Sequence, residues 1–309
     1  VKYDRNLYTV GLQTRDHVTC TIEEADLIVT VGYDIVEYSP CFWNPDGKKR
    51  IIHIDFEPAE VDYWYDPEVE VVGDIAGSLW ELNQHIDDSF DSSRGSFALK
   101  YRDEILKDIH RYDHDNSFPL KPQKMLYEIR QVMGDEDILV SDVGAHKVWI
   151  ARMYLVHAPN TCLISNGLAS MGIAVPGGIA AKIVNPARRV MTVSGDGGFL
   201  MNVQELETAV RLGTPTVNLI WSDGTFGLIE WKQQTLYGHV FGTQFTNPDH
   251  LKLAESFGAV GMRVNKGDNL REILSKAFEC NRPVVIDCPV DYSENLKLTE
   301  RLGELVCPV

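Results

Sequence analysis

Three glycines surround one aspartate in the stretch VMTVSGDGGFLMNVQELETAV (190–210): Gly195, Asp196, Gly197 and Gly198. An apolar run ends there and a helical pattern begins, so the turn sits where a strand gives way to a helix. Glycines let a backbone turn sharply and come close to a ligand. Asn202 followed by Glu205 resembles a capping box opening the next helix. Free N–H groups and the helix dipole at such a terminus favour a phosphate. A bare carboxylate beside that phosphate would repel it. A magnesium ion removes the conflict, because it takes carboxylate and phosphate oxygens together in one octahedron.

A second ligand is then expected at the carboxyl end of a neighbouring strand, on the same rim of the sheet. The next apolar run closes as NLIWSDGTFG, which places Asp223 27 residues beyond Asp196. Gly224 permits a turn that aims the Thr225 carbonyl inward. The competing reading makes 195–198 a plain strand-to-helix turn and Asp223 a loop residue. Two familiar phosphate motifs are excluded: Leu200 stands where a GxGxxG fingerprint needs its last glycine, and no GxxxxGK occurs.

The elements that must position these groups read as α/β. Strands are predicted at 26–32, 50–55, 137–142, 189–194, 216–222 and 283–288, rich in Val and Ile and apolar throughout. That pattern suits parallel strands buried on both faces. Helices are predicted at 75–86, 121–133, 202–212 and 269–279. The alternation implies two doubly wound parallel-sheet domains. A polar stretch at 96–118, enclosing one helix-like piece, reads as a linker between domains at 1–95 and 119–309.

Composition bounds the function. The 309 residues are 44% hydrophobic and 24% charged, as in a globular protein, and the formal net charge is −16. A field of that sign repels nucleic acid and anionic membrane surfaces. No apolar run approaches a membrane span and no signal peptide opens the chain, so a cytoplasmic location is expected. The six cysteines are scattered, without CxxC or Cys/His clusters, which points to reduced thiols.

A GDG followed at this distance by an acid or amide closing a strand resembles the thiamine-diphosphate-binding motif. The wording GDGGFLMNVQELETAVR is similar to the diphosphate-binding domain of the acetolactate synthase and pyruvate oxidase group. SNGLASMGIAVPGGIAAKI (165–183) resembles the segment that precedes the motif in that family. The stretch at 25–62 is similar to the central domain of the flavin-independent, catabolic acetolactate synthases. AESFGAVGMRV and PVVIDCPVDYSENLKL resemble their C-terminal part. The resemblance implies a partial, Rossmann-like central domain followed by the thiamine-diphosphate-binding fold.

By resemblance, Asp196 and Asp223 bind Mg2+ through side chains and Thr225 through its carbonyl. Asp223 stands where Asn is commoner, and either supplies an oxygen. Gly195, Gly197 and Gly198 would flank the diphosphate, with Gly144 and His146 of DVGAH approaching from a second loop. Met171 matches the apolar residue that props the cofactor into its bent shape. Leu228, Ile229 and Trp231 of FGLIEWKQQ match the helix lining the substrate pocket.

The implied reaction decarboxylates pyruvate and joins the resulting hydroxyethyl unit to a second 2-oxo acid, giving 2-acetolactate. The family takes its activating glutamate from an N-terminal pyrimidine-binding domain, and no glutamate here matches it. The chain is therefore expected to be inactive alone, to lack the start of its central domain, and to act as a dimer or tetramer with the active site at a subunit interface. YDIVEY (33–38) replaces the flavin-holding stretch of biosynthetic relatives, so FAD is not expected. Two other readings remain: a decarboxylase or lyase of the same superfamily, and a non-catalytic subunit that keeps the cofactor cradle.

Overall fold

The computed structural model describes residues 5–10, 17–36, 38–86 and 97–295. The described chain forms two compact units, one within the residues up to Leu106 and the other Lys107–Glu300.

The first unit has a three-stranded parallel sheet in the order β1–β2–β3, made of β1 (Leu27–Val31), β2 (Arg50–Asp55) and β3 (Val69–Val72). Helix α1 (His17–Glu24) precedes it, and α2 (Ile75–His85) follows with Asp74 accepting from the Gly77 N–H as its cap. Trp43, Ile51 and Tyr65 form its core, and the Tyr65 hydroxyl bonds to Thr30 and to Nδ1 of His53. Alternation along β1 puts Leu27, Val29 and Val31 on one face. They are 37%, 48% and 43% exposed, so this strand departs from the expected two-sided burial.

Helix α3 (Phe97–Ile109) occupies part of the stretch read as a linker. The second unit then runs α4 (Pro122–Val132), β4 (Ile138–Ser141), α5 (Ala145–Met153), β5 (Cys162–Ile164), α6 (Ala174–Val184) and β6 (Val190–Gly195). It continues α7 (Asp196–Met201), α8 (Glu205–Leu212), β7 (Val217–Ser222), α9 (Gly227–Tyr237), α10 (His250–Ser256), β8 (Val260–Arg263), α11 (Leu270–Glu279) and β9 (Val284–Pro289). Its six strands are parallel, in the order β5–β4–β6–β7–β9–β8.

Side chains alternate cleanly between two layers of helices. Leu139, Met191, Val193, Leu219, Trp221 and Ile286 face a core built with Met125 and Ile129 of α4, Trp149 and Ile150 of α5, and Leu274 of α11. Ile220 and Val285 point the other way, into Val175 and Ile179 of α6, Phe199 of α7, Leu206 and Ala209 of α8 and Ala254 of α10. This is the doubly wound sheet that the uniformly apolar strands imply.

Three strands, β3, β5 and β8, lie outside the sequence expectation. Each is short, at four, three and four residues, and at the edge of its sheet. Edge strands carry no two-sided apolar run to betray them. The helix expected at 202–212 is α8, which starts later, at Glu205, and an unexpected helix, α7, precedes it. Asp196 itself begins α7, Asn202 ends it, and α8 starts at Glu205 without a side-chain cap. The capping box is therefore not formed: the Asn202 amide donates to the Gly172 carbonyl at 2.9 Å, which tethers two loops. Cys41, Cys162, Cys280 and Cys288 are free thiols. Among the described residues no helix is long and apolar enough to cross a membrane.

Candidate cofactor site

The order of the six strands decides where a ligand can enter. The chain leaves β4 for β5 on one side and reaches β6 on the other, so strand order reverses between the adjacent β4 and β6. Loops leaving the carboxyl ends of such a pair part to opposite faces and open a crevice. A cavity of about 240 Å³ lies there. It is lined from the end of β4 by Val143, Gly144, Ala145 and His146, and from the end of β6 by Gly195, Asp196, Gly197 and Gly198. Asp223, Thr225, Phe226, Gly227, Leu228 and Ile229 line it from β7 and α9, with Ala169, Met171 and Tyr292 completing the wall.

Asp196 is 1% exposed, at the first turn of α7, where a negative charge is favoured by the helix. Its Oδ1 accepts from its neighbour, the Gly197 N–H, at 2.9 Å. Its Oδ2 accepts from the backbone N–H groups of Asp223 at 3.1 Å and Gly224 at 2.7 Å, and from Nδ2 of Asn247 at 2.6 Å. The turn after β7 is thus wrapped around the carboxylate, which requires Gly224 at φ +73°. A Cβ on Gly197 would lie 2.8 Å from a Phe226 ring carbon and 3.3 Å from one of Phe245, so glycine is needed there for packing as well as for ligand approach.

A short antiparallel pairing holds the rest of the β7 turn. The Phe226 N–H donates to the Thr243 carbonyl and the Phe245 N–H to the Gly224 carbonyl, with Thr225 opposite Gln244. In this register the N–H and C=O of Thr225 point away from the partner segment. Its N–H turns to Oδ1 of Asp223 at 3.3 Å, while its hydroxyl donates to Glu230 at 2.6 Å.

The electrostatics are those of a site short of positive charge. Asp223 opens onto the cavity, yet crowding by protein, then the Asp196 charge, then Glu230 push its carboxyl up to about 7. Burial, then the charges of Asp223 and Asp196, hold the Tyr292 hydroxyl well above its ordinary range. Burial pushes His146 down to about 4, so its imidazole is neutral at physiological pH. Its Nε2 is buried without a hydrogen-bond partner among the described residues. The pocket therefore presents two close carboxylates that want a cation beside a buried nitrogen that wants a polar partner. Among the described residues no three His, Cys, Asp or Glu side chains converge. A cation here would draw on two carboxylates and a carbonyl, with phosphate and water oxygens filling its shell, and this donor set suits Mg2+.

Eleven of the twelve residues singled out from the sequence line this cavity, and Trp231 does not. Trp231 is 9% exposed, on the buried side of α9. Asn247, Phe226, Glu230 and Tyr292 were not anticipated. Tyr292 follows β9, next to β7, so the rule that ligands meet the carboxyl ends of strands could have pointed to it. Asn247 stands in a loop with no periodicity to read. Asp142, in the loop that leads to α5 and His146, serves the framework: its carboxylate accepts from the N–H groups of Val143, Gly172 and Ala174.

A parallel αβα unit with an acidic, glycine-lined crevice at its switch point defines the class of α/β proteins that bind ligands at the carboxyl ends of their strands. Family comparison agrees: the C-terminal TPP binding domain of thiamine pyrophosphate enzymes matches residues 142–288, and their central domain matches residues 2–82. The chain belongs to the thiamine pyrophosphate enzyme family. It is 37% identical to the acetolactate synthase of Bacillus subtilis (strain 168), with 98% of this chain and 54% of the relative aligned. It is 36% identical to the catabolic acetolactate synthase of Raoultella terrigena, over 95% of this chain and 53% of the relative. The mitochondrial acetolactate synthase catalytic subunit of Saccharomyces cerevisiae is 27% identical, over 93% of this chain and 44% of its own length. The chain thus spans about half the length of these curated relatives.

Proposed function

We propose that this chain is the central and cofactor-binding part of a thiamine-diphosphate-dependent acetolactate synthase. The observation that carries the cofactor reading is the convergence of Asp196, Asp223 and the outward-turned Thr225 backbone on one cavity. The choice of acetolactate as product rests on the similarity to synthases of that name along almost the whole chain.

When bound, thiamine diphosphate supplies a carbanion that adds to ketone carbons and accommodates the electron pair left by decarboxylation. The residues of this chain hold it in place. Asp196, Asp223 and the Thr225 carbonyl would hold Mg2+, whose charge would offset the two carboxylates and that of the diphosphate. Gly144, Gly195, Gly197 and Gly198 let that diphosphate approach the backbone. His146, neutral and buried, offers Nε2 as a hydrogen-bond partner. Met171 supports the cofactor's rings. Leu228 and Ile229 form the apolar side that keeps water from the reacting carbons.

In this reading the donor substrate is pyruvate and the acceptor a second 2-oxo acid. The assembly is a homo-oligomer, with the activating glutamate contributed across a subunit interface, and no flavin is bound. Calorimetric titration of thiamine diphosphate with and without Mg2+ tests the cradle; binding indifferent to Mg2+ would refute it. Incubating the protein in its encoded length with pyruvate, cofactor and Mg2+ tests the reaction. Acetolactate is the expected product, and acetaldehyde would favour a decarboxylase.

A further inference from the structure

Asn247 is used by nothing in the reading above, yet its geometry ties it to the centre of the site. Its Nδ2 donates to Oδ2 of Asp196 at 2.6 Å, the shortest of the four bonds that carboxylate accepts. Its other amide atom, Oδ1, is buried and has no partner among the described residues. The amide cannot be turned over to relieve this, because Oδ1 would then face a carboxylate oxygen at the same distance. The orientation is therefore set by Asp196, and a buried acceptor is left waiting for a donor. An unmet buried acceptor costs on the order of 1–3 kcal/mol, so such atoms call for an explanation.

The backbone places Asn247 with equal care. Two residues earlier, Phe245 is hydrogen-bonded to Gly224, and its ring packs on Phe226 with centroids 4.9 Å apart. The segment carrying Asn247 is thus fastened to the turn that carries Asp223 and Thr225. Two residues later, Asp249 caps α10 by accepting from Leu251 and Lys252. The asparagine is held from both sides.

We infer that Asn247 is a positioning residue for the cation: it fixes the rotamer of Asp196 through Nδ2, and its Oδ1 accepts from the hydration shell that Mg2+ brings. The first half follows from the bond to Asp196. The second follows from the orphaned acceptor and from the several waters that Mg2+ keeps as strong donors. Partners that orient a ligating carboxylate tune metal affinity without touching the metal. This inference rests on the Asp196–Asp223 clamp proposed above.

The test is Asn247→Ala, with Asn247→Leu as a second variant that retains volume and removes both polar atoms. Mg2+ is titrated at fixed thiamine diphosphate, with cofactor binding followed by calorimetry. The expected result is a Kd for Mg2+ raised about 10–100-fold in either variant. The melting temperature without Mg2+ should stay near the parent's, which a purely structural role would lower. A Kd within twofold of the parent in whichever variant folds would overturn the inference. If the parent itself binds cofactor without Mg2+, the clamp falls first, so the two failures are distinguishable.

Discussion

Lowering the pH from 8 to 6 should weaken Mg2+-dependent cofactor binding by up to about tenfold through Asp223 alone, since a ligating carboxylate must first lose its proton. Asp223 is the group concerned because crowding by protein and the charge of Asp196 push it from 3.8 up to about 7. A carboxyl raised in this way favours its protonated form in the folded protein. Its contribution to stability without metal is full below pH 4 and is lost as pH rises through 7. Mg2+ competes with that proton. At pH 6 about nine in ten Asp223 side chains are protonated and at pH 8 about one in ten, and the ratio of available sites sets the tenfold figure. Because the side chain opens onto the cavity, water screens part of the Asp196 charge, which makes tenfold a ceiling. Calorimetry in buffers of different ionisation heat counts the protons displaced, about 0.9 at pH 6 falling to about 0.1 at pH 8. The diphosphate titrates in the same range, so Asp223→Asn is the necessary control: it lacks the displaceable proton and keeps an oxygen ligand. If parent and variant lose affinity in parallel between pH 8 and 6, the reasoning about Asp223 is wrong.

Three further outcomes follow from the same geometry. Asp196→Ala should abolish Mg2+-dependent binding of thiamine diphosphate while leaving the circular dichroism spectrum unchanged; retained binding would remove the clamp. Met171→Ala should weaken cofactor binding several-fold with the Mg2+ requirement intact, and an unaltered Kd would show that Met171 only lines the cavity. Gly178→Ala would place a Cβ 2.4 Å from Cγ2 of Thr192, whose hydroxyl donates to the buried Asn218. Overpacking of this kind costs about 1–3 kcal/mol, visible as a lower urea midpoint at unchanged m-value. A midpoint equal to the parent's would show that α6 can shift away from β6.

Much of the site was legible because it is written in short stretches. Asp196 and Asp223 each directly follow a strand, and one helical crossover separates them, so their 27-residue spacing already implies neighbouring places on one rim. The central strands were legible for a related reason: burial on both faces favours a mainly apolar run, and β4, β6, β7 and β9 show one, interrupted by Thr192, Asn218 and Asp287. His146 and Met171 needed the family resemblance, since a lone histidine or methionine carries no periodic signal.

What only the tertiary structure decided lies in loops and long-range polar contacts. Asn202 looks like a helix cap, and it tethers Gly172 instead, because α7 starts at Asp196 and leaves the amide free for another loop. Asn247 sits 51 residues from Asp196 in sequence, and it arrives there only because the Thr243–Phe245 segment pairs with the β7 turn. Hydrophobic periodicity governs which face a residue shows within one element. It says nothing of the path a loop takes, which is settled by backbone groups seeking partners after the sheet has formed. The amino-acid sequence thus determined a cradle with two carboxylates on one rim of a parallel sheet. Folding decided how those carboxylates are held, by wrapping a distant loop around the one and crowding the other until its carboxyl is pushed up to about 7.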